Sequence, residues 1–199
     1  MILFSFWSQL FIHSCRFRCM IQKLLPLLLL TISLASLGQS ENEELISWNE
    51  GKKLTWADYK GMAKTGTDAA ASTATYLGIE YNFNNKGFGY KITCSFSKNK
   101  SWGLHKTDYI LAHEQGHFDI AEIYARKLNK KMSDYKFDKD NFKTDLKKIY
   151  EGITTEKEAM QNDYDRETNH SINKDNQAEW LQKIEKMLRE YKTYSNYNQ

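Results

Sequence analysis

The chain has 199 residues, is 41% hydrophobic and 27% charged, and carries 28 Lys and Arg against 25 Asp and Glu. That balance supplies no strong field toward nucleic acid or an anionic membrane surface, so partners of those classes are not expected. Three cysteines are too few for a disulfide framework, and the length suits one domain with a proper core rather than several.

The first predicted element is a leader. Lys23 precedes an apolar run over residues 24–37, L-L-P-L-L-L-L-T-I-S-L-A-S-L, and Gly38, Gln39 and Ser40 follow it. A basic flank, an apolar stretch and small residues at its end make a cleavable secretory signal, with the cut expected near Ser36 to Gly38. The alternative is a retained anchor helix, but the run is short for a membrane span and Pro26 interrupts it. Residues 1–19 add a mixed aromatic and basic stretch ahead of a signal that is complete from Met20, so translation is expected to start at Met20. The reading therefore divides the chain into a signal at 1–38 and one secreted or periplasmic domain at 39–199, with no stable membrane insertion after cleavage. Cys15 and Cys19 go with the leader, leaving Cys94 alone, and loss of Arg16, Arg18 and Lys23 takes the basic count from 28 to 28 − 3 = 25, equal to the acids.

Residues 45–102 read as short strands and loops. Trp48, Leu54 and Trp56 are expected packing anchors, and L-T-W-A-D-Y-K-G reads as a turn into a short helix beginning at Thr55. The small-residue stretch A-A-A-S-T-A-T leads into an alternating run, Tyr76, Leu77, Ile79, Tyr81 and Phe83, which predicts a half-buried strand. N-N-K-G at 84–87 is a turn signal, and Tyr90, Ile92, Cys94 and Phe96 alternate again. The two runs form an antiparallel hairpin with Cys94 as a core thiol.

Beyond Gly103 the pattern is helical. A first helix is predicted over 106–129 with Ile110, His113, His117, Ile120, Tyr124 and Leu128 inward, and a second over 140–166 with Phe142, Leu146, Ile149, Ile153, Met160 and Tyr164 at helical spacing. A third, over 176–191, turns Trp180, Ile184, Met187 and Leu188 inward, and the tail beyond it is expected to fray. The fold class is α+β: a small N-terminal antiparallel sheet, then a metal-binding helix and further C-terminal helices.

The first helix carries H-E-Q-G-H, an H-E-x-x-H run at His113, Glu114 and His117. Positions four apart stack on one helix face, so both imidazoles can address one ion with Glu114 beside them. Neutral imidazole suits Zn²⁺, and a catalytic zinc site takes three protein ligands and leaves one position for water, whose pKa falls to about 7. Glu114 would act as general base, receiving the water's proton and passing it to the leaving amine. Random order would give such a run in roughly one chain of this composition per hundred, and on that reading the three are ordinary polar positions of an amphipathic helix. Gly116 argues against it. A helix-interior glycine costs on the order of 1 kcal/mol relative to alanine, which points to close packing or access beside the metal.

A third ligand must come from elsewhere. Glu122 lies five positions beyond His117 and points around the helix, and Asp119 fails for the same reason. His105 precedes the helix and suits an outer or surface role. His170, after Y-D-R-E-T-N at the end of the second helix, is the first candidate, with Asp163, Asp165 and Glu167 as alternative carboxylates. Tyr164 is a candidate oxyanion donor or, alternatively, a buried tyrosine with a satisfied hydroxyl, and Asp165 a candidate to orient a ligand histidine through its second nitrogen.

The runs L-A-H-E-Q-G-H-F-D-I-A-E, L-T-W-A-D-Y-K-G and Y-D-R-E-T-N-H-S, with the following Trp180, together resemble the DUF922 family of predicted secreted zinc-dependent bacterial proteases, grouped with the zincin-like peptidases. The resemblance runs from Trp48 to Trp180 and implies a zincin-like fold and peptidase activity without naming a substrate. In the family pattern a glycine often follows the last histidine, where this chain has Ser171. A late histidine, a small residue and then a tryptophan are also similar to the third-ligand segment of the SprT-like minimal zincins, which favours His170. The leading expectation is a secreted or periplasmic zinc metallopeptidase acting on protein or peptide. A zinc-dependent amide hydrolase acting on cell-wall material, and a binding or assembly module with a vestigial zinc site, are the alternatives, and oligomeric state is left open.

Overall fold

The structure, a computed structural model, describes residues 43–197 apart from 64, 65, 68 and 86. The expected leader and the expected start at Met20 lie outside those residues. Among the described residues no helix is long and apolar enough to cross a membrane.

Alternating apolar residues make the predicted hairpin, β3 (Thr75–Asn84) and β4 (Gly87–Ser97), which pair antiparallel in the register Leu77↔Cys94 and Ile79↔Ile92. Residues directly opposite share a face, so Leu77, Ile92, Cys94 and Phe96 form one apolar surface, all buried. Gly87 has a φ of 104° just after the turn, a conformation open to glycine at little cost. β1 (Leu45–Ser47) joins the free side of β4, giving the order β1-β4-β3. A second, two-stranded sheet pairs β2 (Ala71–Ser72) with β5 (Trp102–Gly103). The short helix expected at Thr55 is a 3-10 turn over Trp56–Asp58, closed by the Thr55 amide donating to Asp58 Oδ2 at 2.9 Å.

Three helices follow. α1 (Asp108–Asp134) starts where Thr107 Oγ1 accepts from the Ile110 amide at 3.2 Å, and it runs five residues past the predicted end because Met132 is still buried and no breaker intervenes. α2 (Phe142–Thr168) and α3 (Lys174–Glu190) fall close to their predicted spans. The fold is thus α+β, with small antiparallel sheets and three helices.

The burial of α1 extends beyond the broad inward face expected for it. From Phe118 to Arg126 every residue is buried, because the helix packs on β3 and β4 on one side and on α2 and α3 on the other. Glu122 and Arg126 therefore lie in the interior, where ions persist only when paired and hydrogen-bonded. Arg126 Nε donates to Glu122 Oε1 at 2.8 Å and Arg126 Nη1 to the Leu188 carbonyl at 2.6 Å. The Tyr197 hydroxyl donates to Glu122 Oε2, and Asn129 Nδ2 donates to the Tyr194 carbonyl at 2.9 Å. The tail is pinned by these bonds through Tyr197, contrary to the expected fraying, since burying Glu122 creates acceptors that the tail satisfies.

Candidate metal centre

The helical repeat brings His113 and His117 together on α1 with their Nε2 atoms 3.2 Å apart. What faces them comes from α2, where Gln161, Tyr164 and Asp165 recur at helical spacing and each contacts a histidine of α1. Asp165 Oδ1 lies 3.2 Å from His113 Nε2 and 3.0 Å from His117 Nε2. These three donors lie within 4.8 Å of one another, the one such group of three or more His, Cys, Asp or Glu among the described residues. A tetrahedral zinc site with arms of about 2.0 Å has edges of about 3.3 Å, so the spacing and the N, N, O chemistry both fit a divalent ion.

His170 stands one step outward. Its Nδ1 is 3.6 Å from Asp165 Oδ1, its side chain is 63% exposed, and it lines the same cleft without joining the group of three. α2 ends at Asn169 (φ 47°), and His170 (φ 50°) and Ser171 (φ 72°) continue in the left-handed region. Three such residues in succession, none a glycine, are costly, at roughly 1 kcal/mol or more each. The His170 amide donates to the Asp165 carbonyl at 2.9 Å and the Asn173 amide to the Thr168 carbonyl at 2.8 Å, which hold the turn against the end of α2.

The other expected residues separate. Asp163 pairs with Arg166 at 2.6 Å, and Glu167 accepts from Trp180 Nε1 at 2.8 Å, so neither carboxylate is with the histidines. His105 is exposed and is not among the residues lining the cleft. Tyr164 is fully buried, stacks on the His113 ring at 4.5 Å between centroids, and its hydroxyl donates to the His113 carbonyl at 3.3 Å. Gly116 exists for this contact. A Cβ there would sit 2.6 Å from the Tyr164 hydroxyl oxygen. Asp165 does not reach the outer ring nitrogen of either histidine; it faces the inner ones. The outer nitrogen of His117 is taken by Gln161, which the sequence reading missed. Gln161 Oε1 accepts from His117 Nδ1 at 2.5 Å, and Gln161 Nε2 donates to the His117 carbonyl at 2.9 Å. Its spacing of three and four from Tyr164 and Asp165 was the available signal, but a glutamine on a polar helix is too common to stand out.

Burial pushes the Asp165 carboxyl up, yet hydrogen bonds from His113 and His117 outweigh it and hold the group well below the usual carboxylate range. Burial disfavours the His117 imidazolium, and Asp165, helped by Glu114, outweighs that and raises its pKa. Glu114 is 3% exposed, and its Oε2 and His113 Nδ1 are buried without a hydrogen-bond partner. An orphaned buried carboxylate oxygen at the edge of a cleft is costly unless something else meets it.

The centre lies at one side of a cleft of about 950 Å³. The cleft is lined by Lys157, Gln161 and Asp165 of α2 and also by the small-residue stretch 69–75, which includes β2. No curated protein and no solved structure matches the chain. The model of a bacterial protein family of unknown function, DUF922, matches residues 53–171, a span that includes the helix with both histidines, Gln161, Asp165 and His170. Matched over more than half of its length, the chain belongs to the DUF922 family.

Proposed function

We propose that the protein is a zinc-dependent hydrolase, most specifically a peptidase of zincin-like fold, with His113, His117 and Asp165 as metal ligands and Glu114 as general base. The observation that carries the reading is the convergence of two imidazole nitrogens and one carboxylate oxygen at 3.0–3.2 Å, the edge lengths of a tetrahedral site. Without a metal, hydrogen bonds from the imidazoles to Asp165 hold the three groups together; with both rings neutral and their Nε2 lone pairs turned inward, a cation among them would offset the repulsion of three acceptors. The third position, first given to His170, passes to Asp165 on this spacing, and His170 becomes a cleft residue beside the ligand carboxylate.

When bound, the ion supplies Lewis acidity toward a scissile carbonyl and acidifies a water in its open position. Glu114, next to His113 on the helix, has a free Oε2 to receive the proton and return it to the leaving amine. Tyr164 packs against the site by its stack on His113, which restrains that ring. A peptide suits the cleft because β2 pairs with β5 alone among the described residues, and Ala71 and Ser72 line the cleft. An extended chain could add to that edge, while the small side chains of 69–75 leave room for it. The secretory signal expected from the sequence at 1–38 supports a secreted or periplasmic site of action.

The test is Glu114→Gln. Zinc content should stay stoichiometric while hydrolysis of fluorescently labelled casein falls by about three orders of magnitude or more. Equal activity in the variant, or no zinc in the unaltered protein, would overturn the proposal.

A further inference from the structure

We infer that Gln161 is a positioning residue that fixes the tautomer of His117 and thereby sets the affinity of the centre for its metal; the inference rests on the metal reading above. The argument needs only the two bonds of the Gln161 amide. A main-chain carbonyl can only accept, so the Gln161 atom 2.9 Å from the His117 oxygen is the amide nitrogen, and Oε1 is the atom that faces the ring. An amide oxygen can only accept as well. His117 Nδ1 must then carry the proton, and in the neutral imidazole Nε2 is left as a bare lone pair. That lone pair points at Asp165 Oδ1, 3.0 Å away, and at His113 Nε2, 3.2 Å away. The wrong tautomer would put a proton where the metal belongs.

The grip is two-point, on the ring and on the backbone of the same residue, so it fixes ring rotation as well as tautomer. His113 has no equivalent. Its Nδ1 is buried without a partner, and its ring is held by the stack on Tyr164. Gln161 is thus the only hydrogen-bonded orienter of a ligand histidine among the described residues, and partners of this kind are typically worth 10- to 100-fold in metal affinity. Being a neutral amide, it orients the ring without adding the electron density that a carboxylate would, which leaves the ion a stronger Lewis acid.

The measurement is zinc affinity by competition with a chromophoric chelator, on metal-free protein whose folding is checked by circular dichroism and thermal unfolding. Gln161→Leu removes both bonds at similar volume, and Gln161→Asn keeps the amide but is one methylene too short to span ring and carbonyl. Both should bind zinc about 10- to 100-fold more weakly with the metal-free fold intact. Gln161→Glu keeps the acceptor for Nδ1 and drops the donor to the carbonyl, and should return affinity to within about 3-fold of the unaltered protein or above it. Unchanged affinity in the Leu and Asn variants overturns the inference alone. Weak binding in all three variants also overturns it, because the loss then follows from packing and not from the Nδ1 contact. If the unaltered protein takes up no zinc, the metal reading fails and the inference with it.

Discussion

Gly116→Ala probes the contact between α1 and α2 without touching a proposed metal ligand. In isolation the change should stabilise α1 by about 1 kcal/mol, because glycine is that much poorer than alanine in a helix interior. The new Cβ would lie 2.6 Å from the Tyr164 hydroxyl oxygen, 2.9 Å from Cζ and 3.0 Å from Cε1, all inside ordinary contact. Tyr164 has nowhere to go: it is fully buried, its ring lies 4.5 Å from that of His113 and 5.4 Å from that of Trp180. Overpacking of this kind costs about 1–3 kcal/mol, and displacement of the hydroxyl from the His113 carbonyl adds about 1 kcal/mol. The net expectation is a loss of about 1–3 kcal/mol, or roughly 2–4 °C in Tm for each kcal/mol at this chain length. Denaturant unfolding of metal-free protein measures it. Tyr164→Phe removes the nearest clashing atom, so the double variant should be less unstable than the sum of the singles. A Gly116→Ala protein as stable as the original, or stabilised by the full helix gain, would refute the claim that glycine is there to admit Tyr164.

Two further outcomes follow from the same geometry. Asp165→Ala should abolish stoichiometric zinc binding while His170→Ala retains it, checked by metal analysis of the purified proteins; zinc lost in the His170 variant and kept in the Asp165 variant would restore the histidine as third ligand. In metal-free protein the ion pair of Asp165 with His117 should show in the pH dependence of stability. The depressed Asp165 pKa gives stability present above the unfolded carboxylate value of about 3.9 and lost as pH falls through the folded value. The raised His117 pKa gives stability present below the unfolded imidazole value of about 6.5 and lost as pH rises through the folded value. The difference between the unaltered protein and Asp165→Asn should therefore peak at about pH 4–6.5, and a flat difference across that range would contradict the pairing.

What could be read from the chain alone was whatever depends on neighbours a few residues apart. The placement of His113 and His117 on one face follows from the helical repeat, the hairpin from two alternating runs around N-N-K-G, and the core role of Cys94 from its place in that alternation. Even the oddity of Gly116 was visible as a propensity cost, though not the tyrosine that explains it. The side chains that face the two histidines were not legible, because they depend on how α2 packs on α1. Asp165 lies 52 residues from His113, and Gln161 lies 44 from His117. The sequence pattern put His170 first, with Asp163, Asp165 and Glu167 behind it, and all four lie within one stretch around the end of α2. Helix phase decided among them: it turned Asp165 toward the histidines, gave Asp163 to Arg166 and Glu167 to Trp180, and left His170 on a left-handed turn at the cleft edge. The burial of Glu122 and Arg126 and the pinning of the tail by Tyr197 were hidden for the same reason, since a charge is admitted to the interior only by partners that the chain brings from far away.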